Sequence, residues 1–85
     1  MHYCYVLENK SGELYFGSTN DLKRRLKEHQ QGRSFATKGS DWTLIYYEAY
    51  RSEADARKRE SMIKNNGGTK LHLKNRISKS RLTEM

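Results

Sequence analysis

The sequence is short of almost everything that large, secreted or membrane-bound proteins are made from. Its 85 residues include one cysteine, Cys4, and no proline, so an intrachain disulfide and a cysteine zinc cluster are both excluded. A lone thiol in a small domain without staples suits a reducing compartment, and we expect the cytoplasm. Only 34% of the residues are hydrophobic, and a chain this size buries about 60–65% of the surface its unfolded form exposes. That leaves no room for a deep cofactor cavity enclosed on all sides. No apolar run approaches the roughly 20 residues of a membrane span. The start, Met1 to Leu7 followed by Glu8, has neither the charged region nor the long apolar stretch of a signal peptide. With no low-complexity linker and no internal repeat, nothing divides the chain, and one small domain is expected.

Negative charge is also scarce. There are 17 Lys and Arg against 10 Asp and Glu, a net of +7. The imbalance is uneven: residues 1–50 hold seven basic and six acidic side chains, whereas residues 51–85 hold ten basic and four acidic. A basic half on a chain without membrane segments favours a polyanion as partner, nucleic acid before an anionic membrane surface. No obligate protein partner is evident.

Hydrophobic periodicity supplies the elements. Tyr3–Leu7 and Glu13–Gly17 alternate like strands, and Asn9-Lys10-Ser11-Gly12 between them is turn chemistry, so an antiparallel hairpin is expected. Alternation puts Cys4, Val6, Leu14 and Phe16 on a core-facing side, and Tyr3, Tyr5 and Tyr15 on the other. Ser18-Thr19-Asn20-Asp21 offers cap oxygens for a helix running to about Gln31 and stopped by Gly32. On it Leu22, Arg25, Leu26 and His29 form one stripe. Residues 33–41 read as a flexible loop, and Trp42–Tyr47 as a third strand reaching as far as Tyr50. Ser52-Glu53-Ala54-Asp55 resembles a capping box opening a helix to about Asn66, whose inward positions are Ala56, Glu60 and Ile63. Glu60 thus stands where a hydrophobe belongs. Gly67-Gly68 should end that helix and Thr69 cap a third, carrying Leu71, Leu73 and Ile77. The expected fold is α+β, a small three-stranded antiparallel sheet flanked by helices in the order β-β-α-β-α-α. The domain should span residues 1–78, with 79–85 a frayed basic tail.

Singly, the polar residues are unremarkable. Tyr3, Tyr5 and Tyr15 could be strand aromatics, Arg25 a solvated helix charge, His29 a helix-end residue. Glu60 could pair with Lys64 at i+4 or Arg57 at i−3. Taken in order and spacing, they resemble the GIY-YIG nuclease signature. The resemblance lies in Tyr3-Cys4-Tyr5, in Tyr15-Phe16-Gly17 with Arg25 and His29 following, and in Leu44–Tyr50 leading to Arg59-Glu60 and Ile63-Lys64. It covers roughly residues 3–77.

That resemblance implies hydrolysis of phosphodiester bonds with one divalent ion, Mg²⁺ or Mn²⁺. It implies Tyr5, Tyr15, Arg25, His29 and Glu60 as catalytic residues, Glu60 as the metal ligand and Gly17 as a point of close backbone approach. The chemistry agrees with these residue types: a metal and a guanidinium offset charge on the phosphoryl oxygens, and Arg25 suits bidentate phosphate contact. Tyr5, with an ordinary pKa of about 10, needs help to act as a base. His29 could accept its proton or be the base itself. Departures exist. Tyr-Cys replaces Gly-Ile in the first motif, and Ser18 stands where some members have Lys. No single asparagine among Asn65, Asn66 and Asn75 matches the one some members carry after the metal helix.

Ser18, Lys64, Lys70, Lys74 and Arg76 are the expected substrate contacts, joined by Arg57 and Lys58 and by Trp42 as a stacking face; Phe35, Tyr46, Tyr47 and Tyr50 add further aromatic faces. Without an attached DNA-binding domain little sequence readout is expected, and single-stranded or branched DNA is favoured over intact duplex, with RNA not excluded. Two other classes compete: a catalytically inactive nucleic-acid-binding module, and a basic RNA-binding protein. Cys4 on the core side makes a poor nucleophile, and His2 and His72 are set aside.

Overall fold

The computed structural model describes residues 1–31 and 41–82. The expected loop at 33–41 and Phe35 therefore lie outside the described residues, save Asp41. Strands β1 (His2–Glu8) and β2 (Leu14–Thr19) form the hairpin, followed by α1 (Leu22–Gln30), β3 (Thr43–Tyr50), α2 (Glu53–Asn65), α3 (Gly67–Arg76) and a 3₁₀ turn at Ser78–Ser80. This is the expected order. The sheet is antiparallel throughout, with β1 in the centre and β2 and β3 as its edges.

The hairpin turn closes because Gly12 takes φ of 83°, open to glycine at no steric cost, while the Asn9 side chain accepts from the backbone N–H groups of Ser11 and Glu13. Where β3 meets β1 the register slips between Val6 and Leu7, so that Tyr46 faces Val6, Leu44 faces Leu7, and Ile45 is the extra residue. The bulge explains why Ile45 and its neighbour Tyr46 both pack against the same core despite strand alternation.

Both faces of the sheet are covered. On one, Cys4, Val6 and Phe16 pack with Ile63 of α2, Leu73 of α3 and Ile77. On the other, Tyr5, Leu7 and Trp42 pack with Leu22 and Leu26 of α1. The tyrosine side is thus a second core, which α1 creates by laying its Leu22/Leu26/His29 stripe on the sheet.

The caps follow the sequence at two helices and depart from it at the third. Asp21 caps α1 by accepting from the Arg24 N–H, and Ser52 caps α2 by accepting from the Asp55 N–H. Gly67-Gly68, however, does not end α2 by a left-handed turn: it is the first turn of α3. Asn66 breaks the helix in an extended conformation, and its side chain accepts from the Thr69 N–H, so Asn66 and not Thr69 is the cap. A side-chain acceptor compatible with extended backbone displaced the glycine signal. Leu71 is exposed, leaving Leu73 and Ile77 as the buried residues of the third helical stretch.

The segment expected to fray from Lys79 is held through residue 82. Arg81 donates to the fully buried Glu8 carboxylate at 2.9 Å and to the Gly12 carbonyl, and the Leu82 N–H donates to Glu8 at 2.6 Å. A buried carboxylate demands such donors. Among the described residues, no helix is long and apolar enough to cross a membrane.

Candidate active site

The site is built around the β2 edge. Tyr5 on β1 lies directly opposite Gly17 on β2, and its ring occupies the space a side chain at 17 would need: a Cβ there would sit 2.6 Å from Tyr5 Oη. Glycine at this position lets the phenol lie across the strand. On the α1 side, Tyr5 Oη meets His29 Nε2 at 2.8 Å. Both residues are buried, at 1% and 0% exposure. Tyr15, on the same face, places its ring 4.9 Å from that of His29 and 6.3 Å from that of Tyr5. Arg25, one helical turn before His29, pairs with Glu28 at 3.0 Å, and its charge favours the ionised form of Tyr5.

The electrostatics set the protonation states. Burial, assisted by the Arg25 charge, pulls the His29 pKa down to about 4, so the imidazole is neutral near pH 7. Burial pushes Tyr5 up to about 12 against the opposing hydrogen bond from Arg25. Arg25 itself is raised, chiefly by its hydrogen bond to Glu28, and stays charged. The result is a phenol that keeps its proton beside a neutral imidazole, with the Arg25 charge acting on both.

The opposite face supplies the carboxylate. Glu60 on α2 accepts from Ser18 Oγ at 2.8 Å and pairs with Lys64 Nζ at 2.8 Å, its side chain 21% exposed. Lys64 also lies 5.8 Å from the centre of the Tyr15 ring, so an α2 side chain reaches around the β2 edge to the α1 side. The Glu60 charge is felt at Tyr5, where it opposes ionisation. Tyr5, Tyr15, Arg25, His29, Glu60 and Gly17 are therefore one constellation assembled from both sheet faces at one edge. The chain from Met1 to Asn75 matches the family model described as the GIY-YIG catalytic domain.

The chain belongs to the GIY-YIG family. It is 41% identical over 69 residues to a UPF0213 protein of Streptococcus agalactiae, an alignment spanning 73% of each protein. It is 36% identical over 66 residues to one of Halobacterium salinarum, covering 75% of this chain and 86% of that one. A UPF0213 protein of Bacillus halodurans solved by solution NMR is similar in structure, with a TM-score of 0.57, 27% identity and coverage of 99% of this chain and 98% of that one. The domain is accordingly of nuclease type.

Other residues of this GIY-YIG domain fall elsewhere than their sequence suggested. Trp42 is buried, its ring edge-on to Tyr15 at 6.3 Å, and offers no face for stacking on a base. Ser18 is engaged by Glu60. On α3, Lys70 lies over the ring of Phe16 on β2, whereas the Arg76 charge acts on Tyr46 of β3. Asn66 is spent as a cap, and Asn65 donates to Ser61. Cys4 is buried and burial pushes its thiol up to about 11, the wrong direction for a nucleophile.

The sequence reading missed Glu48. This residue accepts from Arg59 through three contacts of 3.0–3.3 Å, from Tyr46 at 2.6 Å, and from Tyr50. The spacing 46, 48, 50 on a strand already puts the three on one face and was the available signal.

No group of three or more His, Cys, Asp or Glu side chains converges among the described residues, and Glu60 is the carboxylate in this constellation that could hold a metal. That donor set fits Mg²⁺ or Mn²⁺, since Mg²⁺ keeps several waters and shares phosphate oxygens, and does not fit zinc. The Lys64 ammonium already occupies the cation-facing side of Glu60.

Proposed function

We propose that this domain is a metal-dependent endonuclease that hydrolyses DNA phosphodiester bonds with little sequence specificity, favouring single-stranded or branched DNA. The observation that carries the reading is the Tyr5–His29 hydrogen bond between a protonated phenol and a neutral, deeply buried imidazole, with Arg25 beside it and Glu60 across the same strand edge. Pure binding has no use for such a relay.

The residues divide into a rim and an interior. Arg25, Tyr15, Lys64 and Glu60 are partly exposed and meet substrate. Arg25 binds a phosphoryl oxygen and offsets charge there as the bond to the attacking water forms. Tyr15 and Ser18 orient water and phosphate. Behind them Tyr5 takes the proton of the water as its own passes to His29 Nε2, so that no phenolate needs to persist at a site where burial disfavours one. Glu60 would hold the divalent ion, which when bound polarises the scissile phosphate and stabilises the leaving oxygen. Lys64 is displaced toward the phosphate backbone, and Lys70, Lys74 and Arg76 form a more distant basic face. Exposed Tyr47, in edge contact with Tyr3, supplies the aromatic face for an unpaired base that Trp42 cannot. A buried, unpaired Cys4 suits work in the cytoplasm.

The test is cleavage of plasmid and oligonucleotide substrates with Mg²⁺ or Mn²⁺, beside EDTA and Glu60→Ala. Cleavage should fall by about a thousandfold or more, roughly 4 kcal/mol of barrier, while oligonucleotide binding stays near normal. Wild-type cleavage by Glu60→Ala would refute the metal assignment, and binding without cleavage by the unaltered protein would make it a binding module.

A further inference from the structure

A polar cleft of about 460 Å³ lies between α1 and α2 where β2 ends. It opens beside the active site, because Arg25 and Ser18 line both. Arg24 and Glu28 of α1 form one wall, and Glu53 and Arg57 of α2 form the other. His2, set aside in the sequence reading, lies at its margin.

The charges in this cleft are unevenly matched. Each carboxylate has one arginine: Glu28 pairs with Arg25 at 3.0 Å and Glu53 with Arg57 at 2.7 Å. Arg24 makes the third guanidinium against two carboxylates. Arg57 meets Glu53 through Nε, and a guanidinium fork matches phosphate geometry. The basic residues of α3 do not line this cleft.

We propose that the cleft binds the phosphate adjacent to the scissile one, so that the substrate strand leaves the active site between α1 and α2 rather than across α3. Arg24 and Arg57 are its phosphate contacts, and the ligand class is the sugar–phosphate backbone of a nucleic-acid strand. This rests on the nuclease reading above. It adds the direction of the strand, and it moves the main electrostatic contact from α3 to the cleft.

The experiment uses the full chain and a fluorescent single-stranded oligonucleotide in two arms. In the first, anisotropy in EDTA measures binding against salt. Arg24→Ala and Arg57→Ala should each weaken binding about five- to twentyfold and reduce the salt slope by about 1. Lys10→Ala, a charge removed at the hairpin turn, should change neither, and Lys74→Ala should do less than either arginine variant. In the second arm, Mn²⁺-dependent cleavage is measured with single linkages made neutral as methylphosphonates. A neutral linkage next to the cleaved bond should raise KM for the unaltered protein and add nothing further in the Arg24→Ala/Arg57→Ala double variant. Arg57→Lys should recover part of the loss. Arginine variants that bind like the unaltered protein, or a Lys74→Ala effect as large as theirs, would overturn the proposal. Because the binding arm needs no cleavage, an inactive protein would refute the nuclease reading and leave the cleft still tested.

Discussion

Glu48 and Glu60 stand at opposite edges of the same sheet face, and the difference between them separates an anchor from a working group. Ser18, Cys4 and Glu48 sit side by side across β2, β1 and β3. Helix α2 crosses above them and reaches both edges with consecutive residues: Arg59 clasps Glu48, and Glu60 takes the hydrogen bond of Ser18. At Glu48 a forked guanidinium and two phenols fill the acceptor sites of the carboxylate. At Glu60 each oxygen has one protein donor among the described residues, one of them on a flexible lysine. A guanidinium clasp is geometrically fixed, while an ammonium is a point charge on a mobile stem. Glu48 is therefore the fixed anchor of α2, and Glu60 is the carboxylate left with the looser contacts, as the metal role proposed for it requires.

The largest effect that tests this contrast is Glu48→Ala. It leaves Arg59 and two tyrosines without their shared acceptor in a mostly buried place, at a cost of about 2 kcal/mol, and should lower the midpoint of thermal unfolding by roughly 10 °C. Cleavage by the folded protein should drop only about tenfold. Calorimetry and activity measured well below the midpoint decide it: abolished cleavage in a fully folded variant would make Glu48 a participant and erase the distinction.

A second effect separates the two faces by pH. His29 is held at about 4 by burial and by Arg25, against about 6.5 in the unfolded chain. The unfolded state therefore binds the proton first, and stability should be full above about 6.5 and decline as pH falls from there toward 4. For Glu48, burial raises the carboxyl pKa, but the hydrogen bonds from Arg59, Tyr46 and Tyr50 and the Arg59 charge outweigh it and hold the group below its ordinary value. Its contribution is present above the ordinary carboxylate range and is lost only as pH falls through that range and below. Urea midpoints between pH 7.5 and 3 should show His29→Gln removing the upper decline and Glu48→Gln the lower one. Loss of both by a single substitution would mean the faces titrate as one unit.

The smallest effect belongs to Lys64→Ala. With its side chain 45% exposed, the ion pair should be worth no more than about 0.5 kcal/mol. Removing the competing ammonium should lower the Mn²⁺ concentration for half-maximal cleavage a few-fold. A rise instead would mean that Lys64 works as a phosphate contact first.

Legibility in the sequence followed locality. The elements, the hairpin turn and the stripe carrying Arg25 and His29 depend on neighbours within a turn or a strand, and they could be read directly. The inward position of Glu60 was visible for the same reason. The bond from Ser18 to Glu60 was not, because nothing in the chain announces which end of a sheet a helix will cross. Trp42 looks available in the sequence because a large aromatic beside a loop gives no sign that α1 covers the tyrosine face. Gly67-Gly68 reads as a helix end because glycine signals one more loudly than an asparagine cap does. Arg81 reads as tail because its partner, the buried Glu8, precedes it by 73 positions.

The central place of β1 has a consequence for the order in which the molecule acquires its parts. Tyr5 and His29 are 24 residues apart, whereas Ser18 and Glu60 are 42 apart. Closing the longer loop costs more entropy before any contact repays it. The hairpin and α1 can assemble the phenol–imidazole line from one contiguous stretch, and the carboxylate joins when α2 docks across the finished sheet. A chain halted at that earlier stage would hold Arg25 and the tyrosines without Glu60, so on the proposed function it could not cleave until the last helices had settled.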